Sequence, residues 1–267
     1  YDHNRFAYFH SFDYKTDRIH LTIGESIIST GETESINIKY LNPFHFWSWE
    51  NLGSTNKGLN AFLYTGLTWF PHAGLRLFGE VIIDDVNFHN KDAFYLNRYG
   101  YLIGLQKTQF PFNSSNFWFE YSNVLNQVYQ SFHPTHIYIH RGYPIGHYLG
   151  NDFINTRLHY SQIFKEGTVK LFVDLSYLVD GNNGLETPFD NPWEDENGKM
   201  IEDYRPPSHP TSPNSKWTEI EVGSEIRFRA LTFITISTQY NQTSFSNNSS
   251  DFAIGLRIWS YFKLLNL

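Results

Sequence analysis

The strongest constraint on this chain is a repeated alternation of apolar and polar side chains with a period of two residues. The segment Trp217 to Arg229 shows the alternation most clearly. Successive side chains of a β-strand point to opposite faces, so the pattern predicts a strand with one apolar face and one polar face. We expect the apolar face to contact lipid and the polar face to line a lumen. The lipid-facing set is Ile220, Val222, Ile226 and Phe228, and the lumen-facing set is Glu219, Glu221, Glu225 and Arg227.

The same alternation predicts eleven strands, joined by connections that are alternately short and long. An antiparallel transmembrane β-barrel of an outer membrane has this organisation, with short periplasmic turns and long outside loops. A soluble β-sandwich or solenoid also alternates, but strands of about ten residues exceed the usual five or six. The predicted strands are Phe6 to Lys15, Arg18 to Ile28, Gly58 to Phe70, Leu75 to Asp84, Arg98 to Gln109, Asn116 to Gln127, Phe153 to Phe164, Thr168 to Asp180, Trp217 to Arg229, Leu231 to Asn241 and Asp251 to Phe262.

The composition agrees with an all-β membrane protein. Aromatic residues make up 18% of the chain, and the aromatic girdles of a barrel would use them. No run of 18 or more apolar residues occurs, which excludes a transmembrane helix. The formal net charge of -7 comes without a basic run, so we expect no nucleic-acid partner. The absence of cysteine excludes disulfides and thiolate metal sites, and we expect no cofactor.

The parity of the strands predicts an incomplete barrel. Eleven strands, the first of which descends from outside, do not match the even number of a single-chain bacterial barrel. We therefore expect residues 1–267 to be the C-terminal portion of one outer-membrane β-barrel domain. The first strand should keep a free edge and should not pair with the last.

Three stretches resemble the capsule assembly Wzi family of outer-membrane barrels. They are Glu25-Ser26-Ile27-Ile28 with Tyr40-Leu41-Asn42-Pro43-Phe44 and Trp49-Glu50-Asn51; Gly74-Leu75-Arg76-Leu77-Phe78-Gly79-Glu80-Val81-Ile82-Ile83-Asp84-Asp85; and Gly142-Tyr143-Pro144-Ile145-Gly146-His147-Tyr148-Leu149-Gly150-Asn151-Asp152. The resemblance implies an 18-stranded barrel that associates with exported capsular polysaccharide at the cell surface. The periplasmic helical portion of that family has no counterpart in these residues.

Two groups of residues invite a catalytic or metal-site hypothesis, and for both we favour another role. Glu80, Asp84 and Asp85 could be paired acids, but strand parity places Glu80 and Asp84 on the lumen face, which favours ion pairing there with Arg76, Lys170, Arg227 and Arg257. The histidines His133, His136, His140 and His147 match no ligand spacing, and the acidic loop Asp190 to Asp203 does not follow the EF-hand pattern. We therefore expect no catalytic residue and no metal site.

The candidate glycan-binding residues lie in two long loops, Ser29 to Lys57 and Val128 to Asp152. Aromatic rings stack on the apolar faces of sugars, and charged or amide groups bond the hydroxyls. We expect both loops to cover the lumen. The candidates are Trp47, Trp49, Glu50, Arg141, Tyr143 and His147.

The resulting hypothesis is a non-enzymatic protein of the outer membrane of a Gram-negative-type bacterium. Its expected partners are capsular or exopolysaccharide, in assembly or surface attachment, and outer-membrane lipid. One alternative is a diffusion porin, which also has a polar lumen. Another is an outer-membrane hydrolase, although Ser122 and His159 come without a nucleophile motif.

Overall fold

A computed structural model describes residues 4–31, 36–42, 44, 45, 47, 59–85, 97–131, 134–164, 168–187, 208–212, 214–229, 232–244 and 248–260. Within these residues the alternation folds into thirteen strands, of which eleven form one large sheet and two form a small hairpin. The strands are β1 (Asn4–Lys15), β2 (Ile19–Gly31), β3 (Leu59–His72), β4 (Leu75–Asp85), β5 (Arg98–Thr108), β6 (Ser115–Val124), β7 (Ile139–His140), β8 (Tyr143–Pro144), β9 (Phe153–Phe164), β10 (Val169–Asp180), β11 (Ser215–Arg229), β12 (Thr232–Ser244) and β13 (Asn248–Ser260).

The large sheet is antiparallel and follows the order of the chain. Each strand pairs with the next, except that β6 pairs directly with β9 while the intervening chain carries the β7–β8 hairpin. The prediction of eleven long antiparallel strands is confirmed. Turn chemistry fixes the tight connections: Gly74, between β3 and β4, has a φ of 75°, which glycine adopts without steric cost.

The register sorts the side chains of the sheet into two faces. Ile220 of β11 pairs with Leu175 of β10 on one face, and the next position pairs Glu221 with Asp174 on the other. We call the face of Ile220 the outer face and the face of Glu221 the inner face. The exposed apolar side chains of the outer face are Phe12, Tyr14, Ile19, Ile23, Leu63, Leu67, Trp69, Val81, Ile83, Ile103, Phe164, Leu171, Leu175, Tyr177, Ile220, Val222, Ile236 and Tyr240.

The predicted division of β11 into two faces is confirmed where its side chains are described. Ile220, Val222 and Ile226 fall on the outer face. Their polar neighbours Glu219, Glu221 and Glu225 fall on the inner face. The side chains of Arg227 and Phe228 lie outside the described residues, and contact of either face with lipid or lumen stays a prediction.

The two end strands of the sheet are each paired on one side. Among the described residues, β1 pairs with β2, and β13 pairs with β12. Within that part of the chain, the first and last strands are not hydrogen-bonded to each other, in agreement with the prediction. No helix in the described ranges is long and apolar enough to cross a membrane.

One buried core lies on the inner face, where residues 125–152 pack against the sheet. We call these residues the inner loop, of which 132 and 133 lie outside the description. Tyr129 and Tyr138 of the loop contact Phe62 of β3, with ring centroids 5.8 and 4.6 Å away. Arg5 of β1 donates hydrogen bonds to two loop carbonyls, those of Ile137 and Ile139. The loop Val128 to Asp152, predicted to cover the lumen, packs on the inner face of the sheet.

A second core lies on the outer face, and it corrects the prediction for the other long loop. The described residues 36–42, 44, 45 and 47 form what we call the outer segment, which contains a 3-10 turn at Ile38–Leu41. Its Tyr40 and Trp47 pack on Tyr8 and Ile27, which belong to the outer face by register. The described part of the loop Ser29 to Lys57 therefore covers the outside of the sheet and not the lumen side.

Candidate functional site

The inner face carries a pocket of about 910 Å³ between the sheet and the inner loop. Side chains of β2, β3, β4, β5, β6 and β9 line its wall, and residues of the inner loop close one end. Because one pocket collects side chains from so many neighbouring strands, the inner face is concave. The lining includes Arg76, Phe78, Trp118, Glu120, His147, Tyr148 and Arg157.

Charges of both signs line this pocket beside aromatic rings. Glu120 of β6 is the direct cross-strand neighbour of Arg157 of β9. The Arg157 guanidinium lies 5.4 Å from the centroid of the Trp118 ring. On β4, the Arg76 guanidinium lies 4.6 Å from the centroid of Phe78. Stacking on a ring leaves the edge of a guanidinium available for hydrogen bonds, so the wall presents donors, acceptors and ring faces together.

The inner loop is held over the pocket by a network that begins at Asp84 of β4. The Asp84 carboxylate accepts a hydrogen bond from the backbone N–H of Tyr129 at 2.7 Å. The Tyr129 hydroxyl in turn accepts one from the backbone N–H of His147 at 3.2 Å. Burial raises the pKa of Tyr129 to about 12, so its hydroxyl stays protonated. Asp84 thus binds a loop backbone, and its predicted ion pairing in the lumen stays a prediction.

His147 is a neutral side chain at the edge of the pocket. Burial first, and the nearby Arg157 second, lower its pKa to about 4. Its Nδ1 accepts a hydrogen bond from the backbone N–H of Leu149 at 3.2 Å, which a neutral imidazole can do and a protonated one cannot. Its ring stacks on Tyr148 with centroids 4.7 Å apart and an angle of 28° between the planes.

A glycine permits this packing. Gly146 has a φ of 149°, and a Cβ added there would lie 2.6 Å from the Tyr129 ring. No larger residue fits between the ring and the loop backbone without a shift. The third sequence motif therefore positions His147 and Tyr148 through a close backbone approach.

A buried acid, Asp152, organises the chain that follows β10. Its carboxylate accepts hydrogen bonds from the backbone N–H groups of Asn183 and Thr211, each at 3.0 Å. The Thr211 hydroxyl also donates a hydrogen bond to it, and Nδ1 of His209 lies 3.4 Å away. Asp152 is completely buried, and its role is to hold loop segments and not to meet a ligand.

The structure separates the predicted glycan residues. His147 lines the pocket. Tyr143 and Arg141 are exposed on the β7–β8 hairpin of the same loop, and Tyr143 is 75% exposed. Trp47 is completely buried on the outer face, so no face of its ring is open to a sugar, and we remove it from the candidate site. Trp49 and Glu50 lie outside the described residues.

The pocket residues on the strands were not predicted, because the predicted candidates all lie in long loops. Trp118 and Arg157 occupy inner-face positions of strands that were themselves predicted. Aromatic residues on the polar face of a strand are the sequence signal that indicates such positions. Tyr148 lies inside the third motif, yet nothing in the motif distinguishes it from Tyr143.

A catalytic arrangement is not formed by the two residues that suggested a hydrolase. Ser122 pairs with Asn155 in the sheet, four residues along β9 from His159. At about 3.3 Å per residue the two side chains start about 13 Å apart. The Nδ1 of His159 lies 2.6 Å from the Asp174 carboxylate, and Ser122 is completely buried. Within the described residues, no group of three histidine or acidic side chains is placed to hold a metal ion.

Comparison with known proteins agrees with the fold. The chain is similar to Wzi of Escherichia coli, an outer-membrane protein involved in group 1 capsule assembly and described as a carbohydrate-binding β-barrel. The identity is 15%, the TM-score is 0.57, and the match covers 94% of this chain and 51% of Wzi. The chain has the fold of an outer-membrane β-barrel protein and spans about half the length of that relative.

A second similarity is to a mutant of the ferric enterobactin receptor PfeA of Pseudomonas aeruginosa. It has 11% identity and a TM-score of 0.47, and it covers 98% of this chain and 42% of the receptor. The fold assignment rests on the first similarity. No protein-family model matches the chain, and no curated protein sequence matches it.

Proposed function

We propose that this chain is part of a barrel in the outer membrane of a Gram-negative-type bacterium, and that it binds an exported polysaccharide, capsular or exopolysaccharide, in the inner-face pocket. The observation that carries the proposal is the combination of rings and charges on one concave wall. The rings of Trp118 and Tyr148 suit the apolar faces of a sugar, and Arg157 and Glu120 suit its hydroxyls. The carbohydrate binding of Wzi and the three family-like motifs support it.

The proposed role is to hold the polysaccharide, without turnover. The inner loop supports this role, because its buried tyrosines and its bonds to β1, β3 and β4 fix the end of the pocket in place. A fixed, preformed wall binds with little loss of conformational entropy. A hydrolase has weaker support, because Ser122 is buried and lies about 13 Å along the sheet from His159.

A matched pair of tyrosines in the inner loop provides the test. Tyr148 lines the pocket and is 59% exposed, while Tyr143 is 75% exposed on the hairpin outside it. We expect Tyr148→Ala in the full-length protein to weaken binding of the host's purified polysaccharide by about 2- to 12-fold, the loss of about 0.5–1.5 kcal/mol of ring contact. Isothermal titration calorimetry measures the affinity, with Tyr143→Ala as the control that should change it little.

The possible outcomes distinguish a wrong site assignment from a wrong function. If Tyr143→Ala weakens binding and Tyr148→Ala does not, the polysaccharide binds the hairpin and the pocket assignment is wrong. If the wild-type protein binds no polysaccharide, the proposed function fails. Single-channel conductance then tests the porin alternative. A porin should give a steady open pore, and the absence of conductance would contradict it.

A further inference from the structure

Two arginines line the inner-face pocket without an ion-pair partner in the described part of the chain. Arg76 belongs to β4 and Arg157 to β9, and both form part of the pocket wall. Among the described residues, no carboxylate oxygen lies within 4.0 Å of either guanidinium. This holds even for Glu120, the direct cross-strand neighbour of Arg157. The pocket therefore presents two cationic groups whose hydrogen bonds are open to a ligand.

An aromatic ring holds each of these guanidiniums in place. Arg76 stacks on Phe78, and Phe78 in turn extends over its cross-strand neighbour Gly104, where an added Cβ would collide with the ring. Arg157 lies over the ring of Trp118 on β6. A planar guanidinium that is already positioned loses less conformational freedom when it forms hydrogen bonds. Both arginines are thus prepared for a planar acceptor group.

One of the arginines lies beside the exposed tyrosine of the pocket. The Tyr148 hydroxyl accepts a hydrogen bond at 3.4 Å from the side-chain amide of Asn155. Asn155 is two residues from Arg157 on the same face of β9, a separation of about 7 Å. Arg157 is also the charged group that, after burial, lowers the pKa of His147. A sugar that stacks on Tyr148 would therefore meet a positive charge.

We propose that the pocket selects an acidic sugar, one that carries a carboxylate group, and that Arg157 and Arg76 are the residues that recognise it. A guanidinium binds a carboxylate through two parallel N–H···O bonds, which matches the planar shape of both groups. A neutral chain in the pocket would shield both guanidiniums from water without a charged partner, which is costly. Glu80 and Glu120 of the same wall accept bonds from hydroxyls and repel a carboxylate that is wrongly placed. The inference rests on the polysaccharide binding proposed above.

Chemical reduction of the ligand's carboxyl groups tests the proposal in the full-length protein. Reduction converts each carboxyl group of the host's purified polysaccharide to a primary alcohol and leaves the sugar chain intact. Isothermal titration calorimetry compares the affinities for the native and the reduced polysaccharide. We expect Arg157→Gln to weaken binding of the native form by about 10- to 100-fold, the loss of a charge-assisted hydrogen bond, and to leave binding of the reduced form unchanged. Arg76→Gln should show the same selectivity.

A matched control removes the same charge outside the pocket. Arg141 is exposed on the β7–β8 hairpin, and Arg141→Gln should change neither affinity. Equal weakening by Arg141→Gln would mean a general attraction between charges and would overturn the proposal. Equal affinity of the wild-type protein for the native and the reduced polysaccharide would also overturn it, although polysaccharide binding itself would stand. If the wild-type protein binds neither form, the proposed function fails and the acidic-sugar site fails with it.

Discussion

The inner loop and the outer segment are both rich in aromatic residues, but they lie on opposite faces of the same sheet and differ in how they are held. The inner loop is tied down by polar bonds, such as those of Asp84 to Tyr129 and of Arg5 to the loop carbonyls. The outer segment rests on rings, with Trp47 packed on Tyr8, His10 and Tyr40. The two regions therefore differ in what holds them: hydrogen bonds fix the loop beside the pocket, and ring packing fixes the segment on the opposite face.

Of the substitutions that distinguish the two regions, Trp47→Ala should have the largest effect on stability. Trp47→Ala should lower the free energy of unfolding of the full-length protein by about 3–5 kcal/mol, because it removes a completely buried ring. Urea denaturation in detergent measures this, with Tyr143→Ala as the control that should change stability by about 0.5 kcal/mol or less. Polysaccharide affinity should stay the same in the folded fraction. A loss of affinity with unchanged stability would mean that Trp47 belongs to the glycan site after all.

The next largest effect on stability is expected at two glycines of the inner loop, Gly146 and Gly142. Gly146→Ala and Gly142→Ala each place a side chain at a positive φ, which costs about 1–3 kcal/mol. At Gly146 the new Cβ also meets the Tyr129 ring, whereas at Gly142 no atom lies within 4 Å. We expect Gly146→Ala to lose about 1–3 kcal/mol more than Gly142→Ala from overpacking. Hydrogen exchange of the inner loop measures the difference, and equal protection in the two variants would contradict the close packing on Tyr129.

The neutral state of His147 predicts a pH dependence confined to the inner loop. Its pKa is about 4 in the folded protein against about 6.5 when unfolded, so the unfolded state binds more protons between these values. Stability contributed by the loop is therefore complete above pH 6.5 and falls as the pH drops towards 4, by about 3 kcal/mol at most and by less because the ring is partly solvated.

Nuclear magnetic resonance of the His147 ring protons measures this titration directly. A midpoint near pH 4 agrees with a buried ring beside Arg157, and a midpoint near 6.5 would mean that the loop leaves the ring in water. His147→Gln should remove the dependence between pH 4 and 6.5. The outer segment is the control: its packing around Trp47 should not change when His147 is protonated or replaced.

The strands could be predicted from the sequence because their signal is local. A period of two residues follows from the pleat itself, and the register then repeats it from strand to strand, as Ile220 with Leu175 shows. The loops carry no comparable signal. Trp47 and His147 both lie in long aromatic loops, and the face on which each one packs depends on contacts between residues far apart in the sequence.

One residue carries a sequence signal for the face on which the outer segment packs. Glu25 interrupts an otherwise apolar outer row of Ile19, Leu21, Ile23 and Ile27. A carboxylate in such a row requires a cover or a partner, and the structure provides both in Trp47 and His10. The pocket residues Trp118 and Arg157 were open to the same reasoning on the inner face, where rings among polar neighbours indicate a binding wall.

The most direct test of the account uses two residues of β3 that point to opposite faces. Leu63 is on the outer face and 39% exposed, and Thr68 is on the inner face and lines the pocket. In the full-length protein in vesicles, a water-soluble maleimide should label Thr68→Cys and not Leu63→Cys, and saturating polysaccharide should slow the labelling of Thr68→Cys. Labelling of Leu63→Cys at the same rate, or labelling of Thr68→Cys that polysaccharide leaves unchanged, would contradict a sheet with lipid on one side and glycan on the other.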